Sequence, residues 1–224
     1  MTYAVKFEDL QIGGAPYRLR SLLDNQQFSD PEGIAEGLGI SSAMWPLFGL
    51  LWPAGCVLAE RMSRIDFRGR RVLEVGCGLG LASLVAAACG ADVTASDVHP
   101  LAGAFLRENA ALNHLAPIRF HRGDWKLSDA ALGQFDLIVG SDLLYDRTMP
   151  GALAGFIERH AERHAEVIVV DPGRGLQAPF GKLMGGNGFD HARVTVALHA
   201  TAGGSFKGGI HTYKRDSDEP EAPV

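Results

Sequence analysis

Three cysteines among 224 residues leave no material for a disulfide framework, and the scatter of Cys56, Cys77 and Cys89 gives no zinc spacing. Cys77 falls inside a glycine-rich turn and Cys89 at the end of an apolar helical run, so both read as small buried residues. So few thiols fit a reducing, cytoplasmic setting. Long hydrophobic runs are missing as well. The longest candidate, MWPLFGLLWPAGCVLA, is broken by two prolines and two glycines and falls short of the roughly 18 uninterrupted residues of a membrane span. The N-terminus, MTYAVKFEDL, alternates and carries acids, with no apolar core of a secretory signal. Excess positive charge is absent too. The chain has 21 Lys+Arg against 26 Asp+Glu, a net charge of −5, which speaks against a nucleic-acid backbone as the main partner. The eight histidines show no metal-ligand spacing. His160 and His164 in ERHAERHAE stand at i, i+4 on what reads as a charged, solvated helix face. No metal, no membrane and no nucleic acid is therefore expected, and the chain reads as a monomer.

What is present is the composition of a globular domain, 46% hydrophobic and 21% charged. A chain of this length can bury about 70% of its unfolded surface. At the start, VKFEDLQIGGAPYRLRSLL places Gly13-Gly14 between two alternating runs, which predicts a β-hairpin. Asp30-Pro31 in SDPEGIAEGL is a plausible helix start, and Pro53 suits the first turn of a helix running past Met62. From Arg71 onward the pattern changes. VLEVG, DVTASD, PIRFHRGD, FDLIVGSD and EVIVVDPG read as strands, separated by LGLASLVAAACG, PLAGAFLRENAALNHL and MPGALAGFIERHAERH as helices. Such alternation implies parallel βαβ units. After the helix FGKLMGGNG, two successive strands, FDHARVTVAL and FKGGIHTYKR, break it, as an antiparallel closing hairpin would.

The predicted fold is therefore α/β: a Rossmann-like, mostly parallel sheet with helices on both faces and an N-terminal β-hairpin extension. The expected boundaries are an extension over 1–44, the main domain over 45–214, and an acidic, disordered tail over 215–224.

The chemistry concentrates at the ends of these strands. VLEVGCGLG carries Glu74, Gly76, Gly78 and Gly80 between a strand and a helix, where glycines let backbone approach a ligand. Asp97 ends the next strand, placed to accept from both ribose hydroxyls of a nucleoside. Glu74, before the first glycine, would repel a phosphate and welcome a cationic amino-acid group, which favours S-adenosylmethionine (SAM) over NAD. Read structurally, Glu74 is instead a helix-capping or salt-bridged acid. Gly123-Asp124-Trp125 follows the third strand of this series, where Trp125 could pack on an adenine and Asp124 accept from its amino group, unless the tryptophan only covers the sheet edge. GSDLLYD brings Ser141, Asp142, Tyr145 and Asp146 to the same rim. Asp142 and Tyr145, at i and i+3, could hold an amine and pass its proton to solvent; alternatively Tyr145 packs and Asp142 meets the methionine part of SAM. Trp45 and Trp52, each before a proline, either lid the cofactor, frame a substrate channel or fill the core. VVDPGRG puts Asp171, Pro172, Gly173 and Arg174 in a turn at the substrate side.

VLEVGCGLG, Asp97 in ASD, GDW and SDLLYD, in this order, resemble the seven-β-strand (class I) methyltransferases of the methyltransferase-like protein lysine methyltransferase group. LWPAGCVLAERM resembles the segment before that group's SAM domain, and the DxxY at Asp142–Tyr145 is similar to its motif after the fourth strand. WPAG and VVDPGRG are most similar to lysine methyltransferases of the electron transfer flavoprotein β subunit and their bacterial relatives, and the resemblance spans residues 45–175. It implies a seven-stranded sheet with an antiparallel last strand. It also implies SAM contacts at Trp52, Gly76, Gly78, Asp97, Trp125 and Ser141, with Asp142 and Tyr145 near the acceptor amine. The expected activity is SAM-dependent N-methylation of lysine on a partner protein, with S-adenosylhomocysteine as product. N-methylation of a small, nicotinamide-like amine and a non-catalytic SAM-binding module are the alternatives.

Overall fold

The computed structural model describes residues 3–127, 129–201 and 203–216. Strands β1 (Val5–Ile12) and β2 (Ala15–Leu22) form the predicted hairpin, with Gly13 and Gly14 both at positive φ as its two-residue turn demands. A short helix α1 (Ile34–Gly37) and a 3-10 turn (Trp45–Gly49) lead to α2 (Pro53–Met62), which has Pro53 in its first turn. The alternating part then runs β3 (Arg71–Val75), α3 (Leu81–Ala88), β4 (Asp92–Asp97), α4 (Ala102–Leu112), β5 (Arg119–Arg122), β6 (Phe135–Ser141), α5 (Met149–His160), β7 (Ala161–Asp171) and α6 (Gln177–Gly186). It ends with β8 (Asp190–Thr201) and β9 (Gly204–Asp216).

The seven strands from β3 to β9 lie in the order β5-β4-β3-β6-β7-β9-β8. The first five in sequence are parallel, and β9 slots between β7 and β8, antiparallel to both. The two-strand ending is thus a hairpin folded back on the sheet, as the broken alternation predicts. Successive βαβ units step outward from β3 to β5 and then reverse to β6, opening a crevice beyond the carboxyl ends of β3 and β6.

Period-two alternation sorts each central strand onto two faces. Val72, Leu137, Val139, Ile168 and Val170 point into one core with α2, α3 and the hairpin; Leu73, Val75, Ile138, Val167 and Val169 point into the other with α5 and α6. The hairpin is fastened edge-on by two asparagines, one in α4 and one at its C-cap. Asn109 accepts from the Arg20 N–H (2.7 Å) and donates to the carbonyls of Arg20 and Leu79, and Asn113 makes the same pair of bonds to Arg18. These amides imitate a neighbouring strand and satisfy β2 groups that would otherwise lack partners.

Some local expectations are corrected. The helix expected through residue 164 stops at His160, and Ala161 turns extended (φ −84, ψ 134) and pairs with Phe135. The long β9 draws β7 out to meet it, so His164 lies on a strand opposite Asp216. His160 is buried against Phe156, its Nδ1 2.8 Å from the Gly133 carbonyl, and not on a solvated helix face. Asp30 caps from a distance: its carboxylate accepts from Ala35 and Glu36 N–H groups, and the helix begins only at Ile34. Cys89 is exposed where α3 ends, past its buried stripe, whereas Cys56 and Cys77 are buried. Of the expected tail, Arg215 and Asp216 extend β9 against Ala165 and His164, and 217–224 lie outside the described residues. Among the described residues no helix is long and apolar enough to cross a membrane.

Asn109→Ala removes one acceptor and two donor contacts at a site shielded from water. It is expected to lower the unfolding free energy by about 2–3 kcal/mol in a urea melt, against about 1 kcal/mol or less for the more exposed Asn113→Ala. Equal, small losses at both positions would show that the hairpin is not held by these amides.

Candidate active site

A cavity of about 490 Å³ occupies the crevice. Its floor is the turn after β3, one side is built by the ends of β4 and β6, and residues 38–52 close it from above. The floor is tight. Gly78 sits at φ +53, and a Cβ there would stand 2.7 Å from the Phe48 carbonyl oxygen, so only glycine lets the 3-10 turn lie on it. Gly76 packs on Leu143 beside the Trp125 ring. Gly80 begins α3 and sits against Leu106; it does not line the cavity.

Two buried carboxylates face this space. Glu74, on buried β3, accepts from both the N–H (2.8 Å) and the hydroxyl of Ser83 in the first turn of α3. Burial pushes its carboxyl up to about 7, against the pull of the Ser83 bonds. Asp97, at the end of β4, accepts from the N–H groups of Gly78 and His99, each at 2.8 Å, and burial raises its carboxyl as well. The N–H groups of Cys77, Gly78 and Gly80 are all used inside the protein, by Ser96, Asp97 and Cys77 in turn. The helix end that would otherwise attract an anion is capped by Glu74. The glycine turn therefore offers these N–H groups to no phosphate. It presents carboxylates and so suits a cation.

At the mouth, β6 ends in Ser141, and Asp142 follows with φ +54, an uncommon left-handed residue held by its N–H on the Val170 carbonyl (2.9 Å). The Asp142 carboxylate receives both prongs of Arg174, Nε on Oδ1 at 2.8 Å and Nη2 on Oδ2 at 2.9 Å. Tyr145 stands half exposed beside them. Partial burial, then the carboxylates of Asp97, Asp146 and Asp142, push its phenol upward, so at neutral pH it is a hydrogen-bonding hydroxyl and not a base. Asp124 closes its own turn, accepting from the Lys126 N–H (2.9 Å), and Trp125 is pinned through its carbonyl by Arg159 (2.8 Å). Trp52 donates its indole N–H to the Leu47 carbonyl (2.8 Å) and immediately precedes α2.

Every cofactor-side and catalytic candidate read from the sequence, Gly80 excepted, lines this one cavity. Trp45 does not. It is buried in an aromatic cluster with Tyr3, Phe28, Phe48 and His99. Sequence reasoning missed His99, stacked on Phe48 with ring centroids 3.7 Å apart and held neutral because burial lowers its pKa to about 3. It also missed the apolar wall of Ile40, Met44, Leu47, Phe48 and Leu51, and the fork between Arg174 and Asp142. The run MWPLFGLL was the available signal for the wall.

Residues 44–175 match the family model described as lysine methyltransferase. An electron transfer flavoprotein beta subunit lysine methyltransferase of Xenopus laevis is 35% identical over 135 residues, covering 58% of this chain and 53% of its own. A magnesium-protoporphyrin O-methyltransferase of Rhodobacter capsulatus is 39% identical over 112 residues, covering 49% of each chain. The chain spans about half the length of the curated relatives it matches. Among solved structures, the magnesium protoporphyrin IX methyltransferase of Synechocystis PCC 6803 with bound SAM superposes with a TM-score of 0.55 at 23% identity, over 71% of this chain and 76% of that one. A 16S rRNA methyltransferase of T. Thermophilus gives 0.62 at 17% identity, over 95% of this chain and 51% of that one. These two share the fold.

Gly78→Ala drives a methyl group into the Phe48 backbone at a left-handed φ. A loss of roughly 2–4 kcal/mol in denaturant unfolding is expected, where a neutral result would mean that the 3-10 turn is free to lift off the floor.

Proposed function

The chain belongs to the lysine methyltransferase family, and on that premise we propose that it transfers a methyl group from SAM to the side-chain amine of a lysine on a partner protein. One observation carries the reading: two desolvated carboxylates, Glu74 and Asp97, line a cavity in whose glycine turn the N–H groups of Cys77, Gly78 and Gly80 are already bonded within the protein. A dinucleotide pyrophosphate meets repulsion there, whereas a sulfonium amino acid brings the positive charge that these acids lack.

In this reading residues 45–214 are the transfer domain and 1–44 an extension that contributes to the cavity wall. Glu74 receives the ammonium of the methionine part, and each Asp97 oxygen still has a lone pair for a ribose hydroxyl. Asp124 and Trp125 meet the adenine. Trp52, Gly76, Gly78 and Ser141 line the remainder, and Gly80 only shapes the turn. When bound, the cofactor supplies a methyl group already activated on sulfur; the amine nitrogen forms the new N–C bond as the S–C bond breaks, leaving S-adenosylhomocysteine. What the chain contributes is alignment and dryness. Leu47, Phe48 and Leu51 shield the cavity, while the Asp142 carboxylate and Tyr145 hydroxyl hold the amine by hydrogen bonds and its proton leaves to solvent. The relatives named as flavoprotein β-subunit methyltransferases support a protein acceptor over a small amine.

The test is to incubate the protein with methyl-labelled SAM and either the electron transfer flavoprotein β subunit or a cell lysate, and to map the label by mass spectrometry. Methylated lysine is expected, and Asp142→Asn should lower kcat by about 100-fold with S-adenosylhomocysteine affinity unchanged within about threefold. Label on small amines alone, or on no acceptor at all, would overturn the proposal.

A further inference from the structure

We propose that Arg174 is a positioning residue for the acceptor amine: its fork fixes the Asp142 carboxylate at the cavity mouth and offsets its charge, so the amine is held by hydrogen bonds without being trapped as an ammonium ion. This rests on the lysine-methylation reading given above.

The geometry comes from two neighbouring loops at the carboxyl ends of β6 and β7. Asp142 follows β6 in a left-handed conformation, tied by its N–H to β7 at Val170. Arg174 lies in the turn after β7, where buried Asp171 accepts the Gly173 N–H (2.7 Å) and the glycines at 173 and 175 both take positive φ. That turn aims the guanidinium at Asp142, and the two side chains meet in parallel bonds of 2.8 and 2.9 Å. Asp142 is 13% exposed and Arg174 47%, so the pair sits at the boundary of the cavity and both members line it.

The charge around this pair is lopsided. Glu74 from β3, Asp97 from β4, Asp124 after β5 and Asp142 after β6 all face the cavity, and Lys126 and Arg174 are the cations on its wall. His99 is neutral, and the carboxylate of Asp146 is engaged by Thr148. Lysine is ordinarily protonated at neutral pH, and a bare carboxylate beside it strengthens that state. Only the neutral amine carries the lone pair that attacks carbon. With both prongs of Arg174 in place, the remaining lone pairs of Asp142 still accept an N–H, but much of the field that would hold the extra proton is cancelled. Solvent at the half-exposed guanidinium moderates the effect.

The experiment compares Arg174→Met, Arg174→Lys and the double variant Asp142→Asn/Arg174→Met. The substrate is the lysine-bearing protein labelled by the wild type, with the flavoprotein β subunit as first probe. Melting curves and S-adenosylhomocysteine affinity report folding. Arg174→Met is expected to lower kcat about tenfold while KM stays level or falls, and to move the acid limb of the kcat–pH profile to a pH about one unit higher. Arg174→Lys should restore the limb but only part of kcat, because an ammonium supplies charge without the fork. The double variant should lose the alkaline displacement. A raised KM with an unmoved limb in Arg174→Met, or full activity in Arg174→Lys, would overturn the proposal. Failure of the wild type to methylate any lysine would instead overturn the functional reading itself, before any variant is made.

Discussion

The buried carboxylate of Glu74 is the constraint around which the cavity is arranged. An acid inside a central strand is costly to leave bare, and Ser83 supplies an N–H and an O–H that limit the cost. That same N–H belongs to the first turn of α3, so strand, glycine turn and helix are locked by one side chain. The turn can then curl tightly under Phe48 and give its own N–H groups to Ser96, Asp97 and Cys77. A crevice that in many α/β sheets is ready for a phosphate is here lined by the carboxylates of Glu74 and Asp97.

The N-terminal part matters because the crevice alone is open on one side. Asn109 and Asn113 hold the hairpin to α4, and the aromatic cluster around Trp45 holds the following 3-10 turn onto Phe105 and His99. Fully burying a side chain the size of Phe105 contributes about 1.5–3 kcal/mol, and Phe48 of the cover supplies part of that burial. The cover's other face is the apolar wall of the cavity. In the proposed reaction that wall keeps water from the methyl group, while the Asp142–Tyr145 mouth stays accessible to a long, thin side chain. The two ends of the cavity thus have different physics, desolvated acids inside and a compensated ion pair at the entrance.

Much of this was legible in the residues. Period-two strands bounded by glycine, helices of 8–12 residues between them and the final pair of strands dictate the sheet and its reversal. The strand-end positions of Glu74, Asp97, Asp124 and Asp142 follow from that topology. Glu74 caps α3 through Ser83, as its structural reading expects, and it also lines the cavity. Contacts between segments distant in sequence were not legible. Nothing near Arg174 names Asp142, 32 positions earlier, as its partner, and nothing near His99 announces Phe48. His160 misled because ERHAERH has helical spacing, while the extension of β7 is set by the length of β9, more than 40 residues on. Local pattern assigns elements; pairing decides where they stop.

In the proposed site Glu74, its carboxyl pushed up to about 7 by burial, ionises to receive a cationic amino-acid group. Because its carboxyl is raised to about 7, the form competent to pair with a cation is lost as pH falls through 7 and complete well above it. Calorimetry of S-adenosylhomocysteine binding in buffers of different ionisation enthalpy counts the protons directly. Proton release on binding at pH 7 that grows toward pH 6, and none in Glu74→Gln, is the expected result. Binding with no proton release in the wild type, or the same release in Glu74→Gln, would contradict it.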